Sequence, residues 1–220
     1  VIALVLPIVA LVGTNNLSTA IIILGIAVIV VFVSDKRYMQ FVWIAAAGAG
    51  MMALFLGMES YRLERIAIWK NPEAYEKGYQ TIQGLYAIGS GGLFGRGFGE
   101  SIQKLGFVPE AQNDMIFSII CEELGLFGAV LLTILFVFLL YRLMFIAQNA
   151  PDLLGSLIVT GIFAHIALQV ILNIAVVLNV IPTTGVTLPF ISYGGTSILF
   201  LMTEMGIALN VSRQIRIKDN

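Results

Sequence analysis

The chain has 220 residues, of which 59% are apolar and only 11% charged, and its formal net charge is −1. Soluble domains carry about 25% charged residues, so this composition, with a mean hydropathy of +0.95, excludes one and indicates an all-α polytopic membrane protein. No basic arm or acidic tail offers a surface to nucleic acid, the single Cys121 excludes an internal disulfide or Cys-rich metal site, and the single His165 argues against a histidine-built metal centre.

The chain opens VIALVLPIVALVG, with no charged leader region and no small-residue cleavage site. It does not read as a signal peptide. Opening in mid-span, it is expected to be preceded by further helices. Six apolar segments predict six transmembrane helices: about 1–13, 18–33, 39–57, 116–146, 155–181 and 193–211. A span takes about 20 residues, and its backbone must be satisfied internally, so all six are expected as α-helices. Lys36, Arg37, Arg142, Arg213, Arg216 and Lys218 fall after segments two, four and six, which places those ends on the cytoplasmic side. The turn 13–17, the connection 182–192 and a large extracellular loop, 58–114, then lie outside.

That loop carries Arg62, Arg65, Lys70, Lys77, Arg96 and Lys104 together with Trp69, Tyr75, Tyr79, Tyr86 and Phe94. Its aromatic content argues for order. The glycine-dense run GSGGLFGRGFG (89–99) has no preceding strand and no following Lys-Ser pair, so it is not a nucleotide loop; a closely packed backbone is expected. Next comes the acidic stretch GFVPEAQNDMIFSIICEELG (106–125). If a helix starts near Asn113–Asp114, either residue would make a good N-cap. Glu122 is then about 80° round from Asp114 and ~12 Å along, on a shared side, whereas Glu123 points about 180° away. A carboxylate as deep as Glu122 needs a partner, expected among Arg62, Arg65, Arg96 and Lys104. Glu110, after Pro109, is expected to be solvated.

The fifth segment places Gly161, His165, Gln169 and Asn173 at four-residue spacing on one helical face, which should face the bundle interior. Glu204 in the sixth segment is expected to pair with His165. Between these helices, IPTTGVTLPFISYGG (181–195) has too many Pro and Gly residues for a regular helix, and Thr183, Thr184, Ser192 and Tyr193 supply hydroxyls. An outward site with a surface carboxylate, a deeper one and several cations suits an enzyme acting on an anionic lipid-linked substrate, or a transporter or flippase.

Two long motifs, YQTIQGLYAIGSGGLFGRGFGESIQKLGFVPEAQNDMIFSIICEELGLFG (79–128) and IPTTGVTLPFISYGGTS (181–197), resemble the signatures of the SEDS family (shape, elongation, division, sporulation). QNAPDLLGSLIVTGI (148–162) and LNVSRQIR (209–216) are similar to its FtsW/SpoVE branch. The resemblance implies ten helices, of which residues 1–220 would be the C-terminal part, helices five to ten of a single membrane domain. It implies a peptidoglycan glycosyltransferase that polymerises lipid II on the outer face of the bacterial cytoplasmic membrane, at the division septum or in sporulation. The alternatives are a lipid II flippase or ion-coupled transporter, or a non-catalytic division scaffold. By the same resemblance Asp114 is the catalytic aspartate, Glu122 a second catalytic acid, and Arg62, Arg65, Gln103, Lys104 and Ser192 bind the diphosphate and sugar. A divalent cation, Mg²⁺ or Mn²⁺, could share the diphosphate charge. Partners implied are a class B penicillin-binding protein, the division machinery and membrane lipid. Two departures stand out: NNLST (15–19) puts Asn16 where the family has an acid, and Asn113-Asp114-Met115 replaces Thr-Asp-Phe.

Overall fold

The computed structural model describes residues 2–34, 39, 42–43, 46–48, 50 and 60–215. The expected third span, 39–57, lies largely outside the described residues. Among those described the structure is helical: α1 (Ile2–Asn15), α2 (Leu17–Ser34), α3 (Ser60–Lys70), α4 (Tyr79–Gly91), α5 (Ile116–Asn149), α6 (Leu153–Val177) and α7 (Gly195–Arg213), with 3₁₀ turns at Pro72–Ala74 and Glu76–Gly78. Four of these helices, α2, α5, α6 and α7, are long and apolar enough to cross a membrane.

The chain divides into two compact units. One comprises residues 1–55, 138–168 and 196–220; the other comprises 56–137 and 169–195. In the first, α1 packs on α2 across a single-residue joint, Asn16. The Asn16 Oδ1 accepts the Thr19 N–H at 3.1 Å, so Asn16 caps α2. Asn is a favoured cap residue. At the α5–α6 joint, Asn149 Nδ2 donates back to the Phe145 carbonyl at 2.8 Å. Asp152 then receives the Gly155 N–H at 3.3 Å as the cap of α6. Ser156 Oγ closes the joint by donating to the Ala147 carbonyl at 2.7 Å. His165 Nδ1 meets Glu204 Oε1 at 2.9 Å, the pair expected of them.

The second unit carries the former loop region, which is folded rather than irregular. Helix α6 ends at Val177, four residues before the apolar run does. Asn179 adopts φ 55°, and Val180 and Asn179 donate to the carbonyls of Ala175 and Val176 at 2.8 and 2.9 Å. That is a Schellman cap with Asn at the left-handed position. Helix α3 pins this cap: Trp69 Nε1 donates to the Asn179 carbonyl at 3.0 Å and Arg65 Nη1 to the Thr183 carbonyl at 3.1 Å. Segment 182–194 is non-helical, as its prolines and glycines predict.

Helix α5 is broken at Gly125, with φ 67° and ψ −167°, a region open to glycine alone. Loop 91–97 fills the break. Leu126 and Phe127 donate to the carbonyls of Gly92 and Leu93, while Arg96 and Gly97 donate to those of Glu122 and Glu123, at 2.9–3.0 Å. A Cβ on Gly125 would land on the Leu93 carbonyl and the Gly95 nitrogen, which explains the glycine density as close backbone packing. Gly125→Ala should therefore lower thermal stability in detergent by the equivalent of about 1–3 kcal/mol or more. Gly89→Ala, in the α4 helix interior where an added Cβ meets nothing among the described residues, should be neutral or stabilising by less than about 1 kcal/mol. Equal melting temperatures for the two variants would contradict this account.

Candidate active site

Helix α5 begins at Ile116, so Asp114 lies in the turn before it and is not its N-cap as the sequence suggested. The turn's carbonyls are spoken for by another part of the chain. Tyr193 N–H donates to the Gln112 carbonyl at 2.8 Å. Ser192 Oγ donates to the Asn113 carbonyl at 2.6 Å and accepts the Leu188 N–H at 2.7 Å. Asn173 Nδ2, buried on α6, donates to the Asp114 carbonyl at 2.7 Å and to that of Val186 at 2.8 Å. These bonds tie residues 112–114 to residues 192–193 and to α6.

The Asp114 side chain is half-buried. Gln80 Nε2 on α4 lies 3.4 Å from its Oδ1, at the limit for a hydrogen bond. Gly185 faces Oδ2: a Cβ there would come within 4.0 Å. Burial is the main cause that raises the Asp114 pKa above 3.8, and the Glu110 charge adds to it; the backbone, Arg65 and Gln80 oppose it. Beside the turn is an open groove of about 520 Å³, with Leu105, Val108, Ile116 and Ile119 as its apolar wall and Lys104, Glu110 and Gln112 as its polar rim.

Glu122 occupies a different place. It is fully buried, and it receives Ser101 Oγ at 2.5 Å, the Ile102 and Gln103 N–H groups at 3.3 and 3.2 Å, and Arg96 Nη1 at 3.5 Å. Its neighbour Glu123 takes Lys104 Nζ at 2.7 Å and the Gly99 N–H at 3.0 Å. Of the expected partners of Glu122, the structure supplies Arg96. Gln103 contributes its backbone N–H, and its Oε1 is buried with no hydrogen-bond partner. The sequence-predicted site thus falls into two clusters: Asp114, Arg65 and Ser192 around the turn, and Glu122, Gln103 and Lys104 around loop 96–104. Arg62 lies on α3, its side chain outside the described residues. Gln80, Asn173 and Gly185 were not among the predicted site residues. Asn173 had a signal, its place in the polar stripe of α6; Gln80 had none. Among the described residues no group of three or more His, Cys, Asp or Glu is placed to hold a metal.

Residues 1–217 match the cell cycle protein family of FtsW, RodA and SpoVE. The chain belongs to that family. It is 45% identical to stage V sporulation protein E of Bacillus subtilis over 204 residues, covering 91% of this chain and 56% of that protein. It is 40% identical to a probable peptidoglycan glycosyltransferase FtsW of Coxiella burnetii over 202 residues, with 90% and 54% covered. Family members also supply the structural likeness. A chain of a peptidoglycan synthase complex that coordinates polymerization and crosslinking superposes with a TM-score of 0.76 at 30% identity, covering 98% of this chain and 61% of that one. The rod shape determining protein RodA of Thermus thermophilus superposes with a TM-score of 0.64 at 29% identity, with 98% and 56% covered. The chain spans about half the length of the curated relatives it matches. Family membership and the apolar helices make it a membrane protein with a RodA-like polytopic fold.

Asn173→Leu keeps bulk and removes two buried hydrogen bonds. Each orphaned carbonyl costs about 1–3 kcal/mol, so the variant should melt lower and lose turnover, whereas Gln169→Leu should keep turnover. Parental melting and turnover for Asn173→Leu would show that the bonds do not hold the turn. Glu122→Ala strands Arg96, Ser101 and two N–H groups. At about 3–5 kcal/mol for a buried pair that loses one member, it should expose loop 95–104 to limited proteolysis, and an uncut loop would count against that.

Proposed function

We propose that the chain is the site-bearing part of a peptidoglycan glycosyltransferase that polymerises lipid II on the outer face of the bacterial cytoplasmic membrane, in cell division or sporulation. The observation that carries this reading is the half-buried Asp114, in a turn held through its carbonyls by Tyr193, Ser192 and Asn173 and flanked by residues that line an amphipathic groove. The names of the relatives and the synthase complex support the reading.

Asp114 acts as general base. It takes the proton of the acceptor sugar 4-hydroxyl as that oxygen forms a bond to the anomeric carbon of the donor. The bond to the lipid diphosphate breaks, its electrons leave with the diphosphate, and attack from the opposite face inverts the α-linked donor to a β-glycoside. A base must reach about 2.6–3.2 Å from its proton, and the groove lies beside the turn that carries Asp114. Arg65, whose charge already reaches Asp114, and Lys104 on the groove rim supply preorganised positive charge for the leaving diphosphate. Arg62, one helical turn before Arg65, is assigned to the same task. Ser192 and Gln103 act through backbone, the first on the turn and the second on loop 96–104. Glu122 is a positioning residue: buried, it orders the loop that presents Lys104. A class B penicillin-binding protein is the proposed partner, and the septum the proposed location.

Burial stabilises the protonated form of Asp114, a contribution fully present below pH 3.8 and lost as pH rises through the folded value. Two results follow. Polymerisation should fall on acidification with a limb above pH 3.8, because the base is then protonated. Asp114→Asn should fold at least as stably as the parent at neutral pH, since it removes a poorly solvated charge, yet make no glycan. The assay is gel-based polymerisation of lipid II by the full-length protein with its transpeptidase partner. Glycan chains made at the parental rate by Asp114→Asn would remove Asp114 from this role. Lipid II translocation without glycan by the parent would favour a flippase.

A further inference from the structure

We propose that residues 92–99 form an interfacial wedge, with Leu93, Phe94 and Phe98 inserted among phospholipid acyl chains and Arg96 held at the headgroup level. The inference rests on the fold alone and stands whether or not Asp114 is the base.

Helix α5 sets the depth scale. Beyond the Gly125 break its 24 residues, 126–149, span ~36 Å at 1.5 Å per residue, more than the ~30 Å of a hydrocarbon core, so part of it must project. Charge decides which part. From Leu124 to Tyr141 no side chain is charged; Glu122 and Glu123 precede that run and Arg142 follows it. The helical part of that run, residues 126–141, covers ~24 Å, which places the hydrocarbon boundary beside the Gly125 break.

The loop is registered against that boundary by hydrogen bonds. Leu93 sits at the level of Phe127, whose N–H its carbonyl accepts at 3.0 Å. The Phe94 ring lies 6.5 Å from the Phe127 ring. Both therefore lie below the boundary. Arg96 is bonded at the level of Glu122. Gly97 and Gly99 both donate to Glu123, which places the intervening Phe98 at the boundary itself. Leu93, Phe94 and Phe98 are 65%, 80% and 87% exposed in the protein alone, and their neighbours Leu126 and Phe127 on α5 are 57% and 64% exposed. An apolar surface of this kind would be unstable in water. It is continuous with the face of a membrane-spanning helix, at the depth where lipid begins. The order along the loop, apolar at the tip and cationic one step higher, matches interfacial anchors.

The test uses the full-length protein in phosphatidylethanolamine–phosphatidylglycerol liposomes. On a Cys121→Ala background, a nitroxide is attached at Phe94→Cys, Phe98→Cys or Glu76→Cys. Glu76 is the water-side control: α4 runs from Gln80 beside Asp114 to Gly91 beside Cys121, so residue 76 lies beyond the level of Asp114. Oxygen should relax the labels at 94 and 98 several-fold more than a nickel chelate does, and the order should reverse at 76. Chelate access at 94 and 98 equal to that at 76 would place the loop in water. Access by neither reagent would mean that protein covers it, and either result overturns the proposal. Where Phe94→Cys does not fold, Phe98→Cys, the most exposed of the three, decides alone.

Discussion

Three consecutive carbonyls, of Gln112, Asn113 and Asp114, take their hydrogen bonds from Tyr193, Ser192 and Asn173, and the geometry of the site follows from that. A backbone carbonyl without any partner is costly to bury. The bonds satisfy the turn that precedes α5 and hold Asp114 in it. They also couple the two long motifs physically, because the irregular segment 181–195 exists in this shape to reach the turn. Strain is stored in both partners. Glu110 and Phe190 adopt φ of 54° and 64°, unusual for side-chain-bearing residues and tolerated where surrounding contacts over-determine the backbone.

Glu122 and Glu123 solve a second problem, the return of loop 92–104. A loop that approaches a helix so closely has N–H groups with no water to serve them. A fully buried carboxylate takes Ser101, Ile102 and Gln103 together, while Glu123 takes Gly99 and Lys104. An unpaired buried carboxylate would be prohibitive; one surrounded by donors organises the chain around it. The two adjacent acids are thus a two-sided clamp on one loop, and Asp114 belongs to a separate task.

The apolar runs and their lengths made the helical architecture legible, since lipid leaves the backbone no alternative to internal hydrogen bonding. Ends were less legible. Residues 178–181 are apolar enough to continue α6, yet Asn179 in a left-handed cap stops it, a choice made by Trp69 from 110 positions away in sequence. The angle of about 100° between Glu122 and Glu123 followed from helical period, and Arg96 was among the partners expected of Glu122. Ser101 and the 102–103 backbone were not, because they reach Glu122 only through the fold of a glycine-rich loop. Asn16 stood out as a departure from an acid, and in the structure it caps α2. Asn173 stood out in its stripe, but its acceptors are main-chain atoms, which no side-chain pattern encodes.

Treating the whole apolar run from residue 116 as membrane would bury Glu122 in lipid and leave Asp114 at its surface. The helix is broken at Gly125, and its charge-free part lies beyond the break. Fitting the hydrocarbon to the charge-free run from Leu124 moves Glu122 to the boundary, where a carboxylate bonded to Ser101 and Arg96 is tolerable. It also places Ile116, and Asp114 before it, on the side of the Gly125 break away from the charge-free run. A lipid-linked sugar has the same layout: acyl or prenyl chain in the core, diphosphate at the boundary, sugar above. On the proposed function, the cations near the boundary and Asp114 beyond the Gly125 break follow that order. The acids cluster in sequence where α5 begins and breaks: Glu122 and Glu123 hold the loop beside the break, and Asp114 lies in the turn before the first helical residue.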